Sequence, residues 1–522
     1  MLKIGFKKHT IVIILILLSL LALGGWLRYE NIRGFNLVFD FDQIEDAFYT
    51  YKITVDHQLP IIGRAIYGDP RLHHGVLFFY YNVIPFFFSG GDLIASAYWN
   101  SFFNLLSAVI LFFLSKSIFG KKLPALLTAI LAAVSFEAIK FAGLLFNETT
   151  AFTTVPLFYF GLWSYFKNKK WGLVLSAIFL GLSIESSISF IYLIPITLIF
   201  WLIFKPKIPG LKLTILSLIA FTLSVSTMIL TEIKLNFSGV KTILTLSANS
   251  PEARFTYPER LNFFIHDFGK QFSLNLYPQR LDLGLLFAVT VILLSVYPLI
   301  QRKTIKEEKR GIYFLLLYLF SPLVTLILGY HQKPWFLIGL PGAIALITGY
   351  ALYRLKKLIL ILPVLLLIVW GNTNLILARS HKNYELFDNV YDSTTDLNSQ
   401  LQVIDFTYQQ SNGEPFAINA VTYPLYYNGM WAYLYNWYGK NHFGYVPGWL
   451  GGDQLHPYDL LPKATNKEKY FYLLISETGR IPEVFKNKGR TWAQDHGKLI
   501  EQKTIGGFTV QKFMLTNQEK LD

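Results

Sequence analysis

The sequence contains no cysteine, which excludes a disulfide scaffold and any thiolate metal centre and leaves the redox compartment undetermined. Charge is scarce as well: Asp, Glu, Lys and Arg make up 15% of the 522 residues, where a soluble domain carries about a quarter. There is no internal repeat, no low-complexity segment, and no pair of interrupted apolar segments of the kind that marks inverted-repeat transporters. Acids fall short of bases, 33 against 47, for a formal charge of +14. That surplus does not read as a nucleic-acid surface, because the Lys and Arg residues stand in short clusters between apolar runs instead of lining one face.

What the chain has in abundance is apolar length. Hydrophobic residues reach 53% and aromatic ones 17%, with a mean hydropathy of +0.40, the composition of a polytopic membrane protein. Apolar runs recur near 10–28, 94–115, 123–142, 149–166, 171–185, 188–204, 211–231, 281–300, 312–329, 335–353 and 358–378. Each is expected to be a helix, since only a helix satisfies all its own backbone polar groups in lipid without closing a barrel. The expected fold class is therefore an α-helical polytopic membrane protein with about eleven transmembrane helices. The first run follows Lys3, Lys7 and Lys8 like a signal peptide, and Ala22, Gly24 and Gly25 imitate a cleavage site. Its length, enough to cross about 30 Å of hydrocarbon, favours an uncleaved first span.

Orientation follows from the connectors. Lys116/Lys121/Lys122, Lys167/Lys169/Lys170, Lys205/Lys207/Lys212, Arg302 to Arg310 and Arg354/Lys356/Lys357 fall in every second connector, on the side of the N-terminus. That side is expected to be the cytoplasmic face of a plasma (inner) membrane. The opposite face then carries two long loops, about 29–93 and 232–280. An odd number of spans divides the chain into a membrane module, 1–379, and an extracytoplasmic domain, 380–522. In that tail, Phe416 to Val421 and Tyr470 to Ile475 are strand-like, Gly506-Gly507 signals a hairpin before Phe508 to Phe513, and Leu386 to Tyr408 is helical in pattern. The tail therefore reads as a small α/β domain.

The first outer loop opens on Phe39-Asp40-Phe41-Asp42-Gln43-Ile44-Glu45-Asp46-Ala47-Phe48-Tyr49. If this stretch is helical, Asp42, Glu45, Asp46 and Tyr49 share one face at the membrane surface. Crowded carboxylates raise at least one pKa and poise a general base, or they hold a divalent cation through hard oxygen ligands; a solvated acidic turn is the plain alternative. Further on, Arg71, His73 and His74 are candidates to bind a phosphate, beside an aromatic run, Phe78 to Tyr81 and Phe86 to Phe88, suited to the bilayer interface. At the outer end of the third span comes Asn147-Glu148-Thr149, with Glu137 and Lys140 upstream and three apart, placed to neutralise each other. Asn147 and Asn236 also match the short N-glycosylation pattern, a match common by chance. Glu185 and Glu232 lie near the outer ends of their spans, and Tyr330-His331-Gln332-Lys333 puts a cation in a short outer loop.

This layout resembles the GT-C superfamily of membrane glycosyltransferases, the branch of the protein O-mannosyltransferases and lipid A aminoarabinose transferases. The resemblance rests on Asp42-Gln43-Ile44-Glu45-Asp46-Ala47 just after the first span, on Pro60, Gly63 and His73-His74-Gly75 beyond it, and on Glu148 where a second outer-loop acid is expected. It covers roughly residues 1–350. Two features depart from the family's pattern: Gln43 stands where a second acid would pair with Asp42, so the pair could instead be Asp42 with Asp46, and Glu148 follows Asn147 without an Asp motif.

The resemblance implies a sugar donor on a polyprenyl phosphate and an acceptor, whether lipid, protein or glycan, arriving from outside. It implies Asp42 as base, with Asp46 second and Glu148 as the further acid. Arg71, His73, His74, His331 and Lys333 would support the phosphate, with Asp40, Glu45 and Tyr49 on the acceptor side, and one displacement would invert the sugar. A divalent cation on Asp42, Asp46 and Glu148 stays open. The competing class is a transporter or lipid flippase, which acids lining a midplane path would favour.

Overall fold

The computed structural model describes residues 8–66, 69–242, 255–302, 304–327, 334–379, 382–387, 390–454, 458–465 and 467–516. Its first helices are α1 (Lys8–Ile32), α2 (Phe41–Thr54), α3 (Leu77–Ser89), α4 (Leu93–Phe119), α5 (Lys122–Val134), α6 (Phe136–Ala142), α7 (Ala151–Phe166) and α8 (Trp171–Ser186). All eleven expected runs are helical, but they are not eleven alike. Among the described residues five are long and apolar enough to cross a membrane unbroken: Leu15–Ile32, Leu93–Phe119, Leu281–Ile300, Lys306–Leu326 and Leu358–Arg379.

Two more qualify only as bent pairs, so the interrupted segments that the sequence did not display are present after all. Helices α5 and α6 meet at 46°, and Leu211–Ser224 meets Ser226–Lys234 at 63°. At the first bend the freed backbone is taken over by side chains. Ser135 Oγ accepts from Ala138 N, and Asn372 Oδ1, reaching in from the last long helix, accepts from Phe136 N at 2.6 Å. No proline or glycine marks Ser135, which is why the break escaped the sequence. The remaining runs are short. Two of them, α7 and Leu340–Arg354, are buried along most of their length, and a helix sheathed in protein need not match the thickness of the hydrocarbon.

One face of the helical module is built around α2. Its N-cap is Asp40, and Gln43 Oε1 accepts from the Asp40 N–H at 3.1 Å, closing a capping box. Gln43, the departure from the acidic pattern, thus has a structural task. After α2 the chain turns through a small hairpin, β1 (Ala65–Ile66) with β2 (Asp69–His73), into α3, which exposes Phe87 and Phe88.

The tail supplies a five-stranded sheet of β3 (Phe416–Val421), β4 (Gly448–Trp449), β5 (Tyr470–Ser476), β6 (Gly497–Ile505) and β7 (Phe508–Leu515), in the order β4-β3-β5-β7-β6. Pairs β3–β4 and β3–β5 are parallel and the β5–β7–β6 side is antiparallel, with Gly506 at φ +55° in the expected hairpin turn. The expected helix shortens to Leu397–Ser411, because Asp396 caps it by accepting from Ser399 N and the residues before it form single turns.

This sheet region is fastened onto the start of α2. Phe39 N donates to Thr395 O, Leu397 N donates to Leu37 O, and Gln400 Nε2 donates to Phe39 O, all at 2.8–2.9 Å. Arg480 Nη1 meets Asp40 Oδ2 at 2.8 Å, and the ring of Phe48 packs on Tyr433 and Tyr458. Arg480→Ala is expected to cost about 1.5–3 kcal/mol, the range for a hydrogen bond to a charged partner, and to expose the sheet region to limited proteolysis before the helices unfold. Unchanged proteolysis and melting would show that the backbone pairing alone holds the two regions together.

Candidate functional site

The hairpin places Arg64 and His74 side by side, since His74 N donates to Arg64 O at 2.9 Å. Gly63 is needed for that approach, because a Cβ there would collide with the His74 carbonyl, and a Cβ on Gly75 would collide with Glu185. From this corner the Arg64 side chain, only 6% exposed, reaches α2: Nη1 lies 3.0 Å from Asp42 Oδ1 and 3.8 Å from Asp46 Oδ2. Nη2 donates to Asn147 Oδ1 at 3.2 Å. Asn147 in turn donates from Nδ2 to His74 Nδ1, at 3.2 Å, and to the carbonyl of Ser186 at the end of α8. Beside it, Glu148 is buried with Oε1 accepting from Ser187 Oγ at 3.1 Å.

One buried cation among several acids sets the electrostatics. Burial pushes the Asp46 carboxyl up to about 7 against the pull of Arg64. Burial pushes Glu148 up to about 8, again opposed by Arg64. His74 moves the other way, to about 3, because burial disfavours its charged form and Arg64 and His73 repel it. A neutral ring is also what the hydrogen bonds require, since its Nδ1 accepts from Asn147. Asp42 differs from the other acids in being open, with 42% of its side chain exposed.

The sequence-derived candidates divide accordingly. Asp42, Asp46, Glu148 and His74 are brought together around Arg64. Glu45 turns to the sheet region and accepts from Tyr458 Oη at 3.0 Å; burial raises its pKa. Asp40 is the helix cap paired with Arg480, also raised by burial. Tyr49 stacks on Phe79 at 4.6 Å. His73 has Nδ1 2.8 Å from the Gly63 carbonyl and Nε2 3.0 Å from the Pro70 carbonyl, so whichever nitrogen carries the hydrogen donates within the loop. Arg71 is exposed nearby, while His331 and Lys333 lie outside the described residues.

Glu137 and Lys140 form the expected ion pair at 2.7 Å, joined by Gln271. Glu185 accepts from Val76 N at 3.1 Å, fixing the start of α3, and Glu232 accepts from Val240 N at 3.1 Å. Asn147, at 3% exposure, is too deeply buried to accept a glycan. Among the described residues no three His, Asp or Glu side chains converge as metal ligands. A guanidinium sits between Asp42 and Asp46, the position a cation shared by them would take.

The residues that sequence reasoning missed are Arg64 and Asn147. The one signal for Arg64 was a lone charge inside the apolar stretch Pro60-Ile61-Ile62-Gly63-Arg64-Ala65-Ile66. For Asn147 there was only its adjacency to Glu148.

Solved structures share this arrangement of a helical membrane module followed by a sheet-bearing tail. The structure of ArnT from Cupriavidus metallidurans bound to undecaprenyl phosphate superposes with a TM-score of 0.59 at 9% identity, covering 95% of this chain and 97% of that one. The apo ArnT structure gives 0.60 at 10% identity, with 97% and 98% covered. The archaeal oligosaccharyltransferase AglB from Archaeoglobus fulgidus, in complex with an inhibitory peptide and a dolichol-phosphate, overlaps more loosely, at 0.46 and 13% identity over 97% and 74%. No family model and no curated protein matches the sequence. At these identities the likeness is one of fold.

The raised acids make stability fall as pH rises. Glu148 binds its proton more tightly folded than unfolded, so its contribution is complete below the unfolded value of 4.5 and is lost as pH climbs through about 8. Asp46 behaves alike between 3.8 and about 7. Glu148→Gln is expected to flatten part of this slope and to melt above the unmutated protein at alkaline pH, by up to a few kcal/mol. Thermal unfolding of the detergent-purified proteins across the pH range checks it; parallel curves would show that Glu148 carries no extra proton.

Proposed function

We propose that this protein is an integral membrane glycosyltransferase that moves a sugar from a polyprenyl-phosphate carrier to an acceptor on the extracytoplasmic side, inverting the sugar in one displacement. One observation carries the reading: an open carboxylate, Asp42, is held against a buried guanidinium at the first turn of α2, just beyond the first span. The fold shared with ArnT supports it, and one of the ArnT structures has undecaprenyl phosphate bound.

In this mechanism the acceptor hydroxyl enters from the side of the sheet region and gives its proton to Asp42 as its oxygen attacks the anomeric carbon. The bond to the lipid phosphate breaks on the opposite face. Arg64 fixes the orientation of Asp42 and is itself fixed by Asn147. Burial pushes Asp46 and Glu148 toward their neutral forms, which limits the negative charge the cluster accumulates. His74 remains a neutral hydrogen-bonding group, so charge support for the departing phosphate falls to Arg71, with Lys333 as the second cation. The membrane is the plasma membrane, with the N-terminus in the cytoplasm, the module spanning 1–379 and the domain 380–522 outside.

The test is release of polyprenyl phosphate by the purified protein in nanodiscs, across a panel of polyprenyl-phosphate sugars with lipid and glycan acceptors. Asp42→Asn should lower release about 10²–10⁴-fold, the contribution of a general base, in a protein that still folds, as its melting curve would show. An active Asp42→Asn protein would remove Asp42 from this role, and no release from any donor would remove the reading itself.

A further inference from the structure

Beside the site, on the face of α2 next to the one that carries Asp42, lies a small pocket with room for about one water molecule. Its lining comes from Gln43, Asp46, Ala47 and Thr50, which recur at the three-four-seven spacing of one helix face. The opposite walls come from α3 and α4, whose polar contributions are Asn82 and Ser96. All five polar residues are at most 4% exposed. Thr50 Oγ1 donates to Asp46 O at 2.7 Å and Asn82 Nδ2 donates to Phe78 O at 2.9 Å, which leaves Asn82 Oδ1 without a hydrogen bond. Ser96 Oγ and Asp46 Oδ2 also make none, the nearest cation to that oxygen being Arg64 at 3.8 Å.

Orphaned buried polar atoms are uncommon, because each costs about 1–3 kcal/mol. Several lining one cavity from three separate helices indicate a common partner. One water fits: it needs two to four polar partners, and it both donates and accepts, so it serves a hydroxyl, an amide oxygen and a carboxyl together. A metal ion does not fit, since only one lining residue is acidic. The groups facing Asp46 are Arg64 from the hairpin and Asp42 and Glu45 on α2 itself. Tyr49 lies near it as well. Neither α3, α4 nor Leu145 brings a titratable group to the cavity.

We propose that this cavity is an internal water site in which Ser96 and Asn82 are positioning residues, orienting water that donates to Asp46 and so governs when Asp46 loses its proton. The consequence reaches Arg64. With Asp46 neutral the guanidinium pairs with Asp42 alone, whereas with Asp46 ionised it is shared between two carboxylates. The water site thereby sets how strongly Arg64 holds Asp42. That last step rests on the glycosyltransferase reading, while the water site and its effect on Asp46 do not.

The test reads the carboxyl directly. Infrared titration of the purified full-length protein, with the Asp46 band assigned by its loss in Asp46→Asn, gives a midpoint without any turnover. Ser96→Val fills the cavity and removes one partner, and is expected to raise that midpoint by about one pH unit, the size of one hydrogen bond to an ionised group. Asn82→Leu should shift it the same way, and Ser96→Thr, which restores the hydroxyl, should return it. Should Ser96→Val fail to fold, Ser96→Ala removes the hydroxyl without adding bulk and carries the same expectation. A midpoint unmoved in the folded variants overturns the water site. A midpoint that moves while the pH profile of polyprenyl-phosphate release stays fixed overturns the link to Asp42 and leaves the water site standing.

Discussion

Taking one guanidinium out of water is the constraint around which one face of this protein is arranged. A buried Arg must be surrounded by acceptors or it is not stable there, and Arg64 has Asp42 and Asp46 on one side and Asn147 on the other. Each partner is then committed by the requirement. Asn147 spends its amide on His74 and the Ser186 carbonyl, which ties the hairpin to the start of α7 and the end of α8. Burial, reinforced by the neighbouring acids, pushes the Asp46 and Glu148 carboxyls toward their protonated forms against the pull of that one cation.

The second tie runs from the same helix to the tail. The N-cap of α2 is an acid that the sheet region grips through Arg480, and the backbone just before it pairs with the residues that open the helix Leu397–Ser411. Capping and docking therefore share one residue, Asp40. The tail is in this sense packed on the helix that carries the acid cluster, with Tyr427 against Phe41 and Tyr458 against Phe48.

Within the membrane module, polar side chains do work that lipid cannot. The bend at Ser135 is closed by Asn372 and Asn275 from helices far along the chain, so the interruption is filled with hydrogen bonds. The short helices α7 and Leu340–Arg354 are possible for a related reason: protein, and not hydrocarbon, surrounds them.

Composition and the period of the apolar runs determined the class of the molecule, because burying a helix in lipid demands a long apolar stretch that no local ambiguity can hide. Strand patterning and the Gly506-Gly507 turn were legible for the same reason, being local. The acids at 42, 46 and 148 were legible as chemistry but not as an arrangement. Which of them is open, which keeps its proton, and what joins them depends on Arg64, 22 positions beyond Asp42, and on Asn147, a further 83 along the chain. Sequence spacing carries no information about such partners, since the hairpin turn and the packing of α2 against α3 bring them together only after the chain has folded. The continuity of the spans was likewise decided in three dimensions, where a serine can end a helix if a distant asparagine accepts the hydrogen bond that its interior has given up.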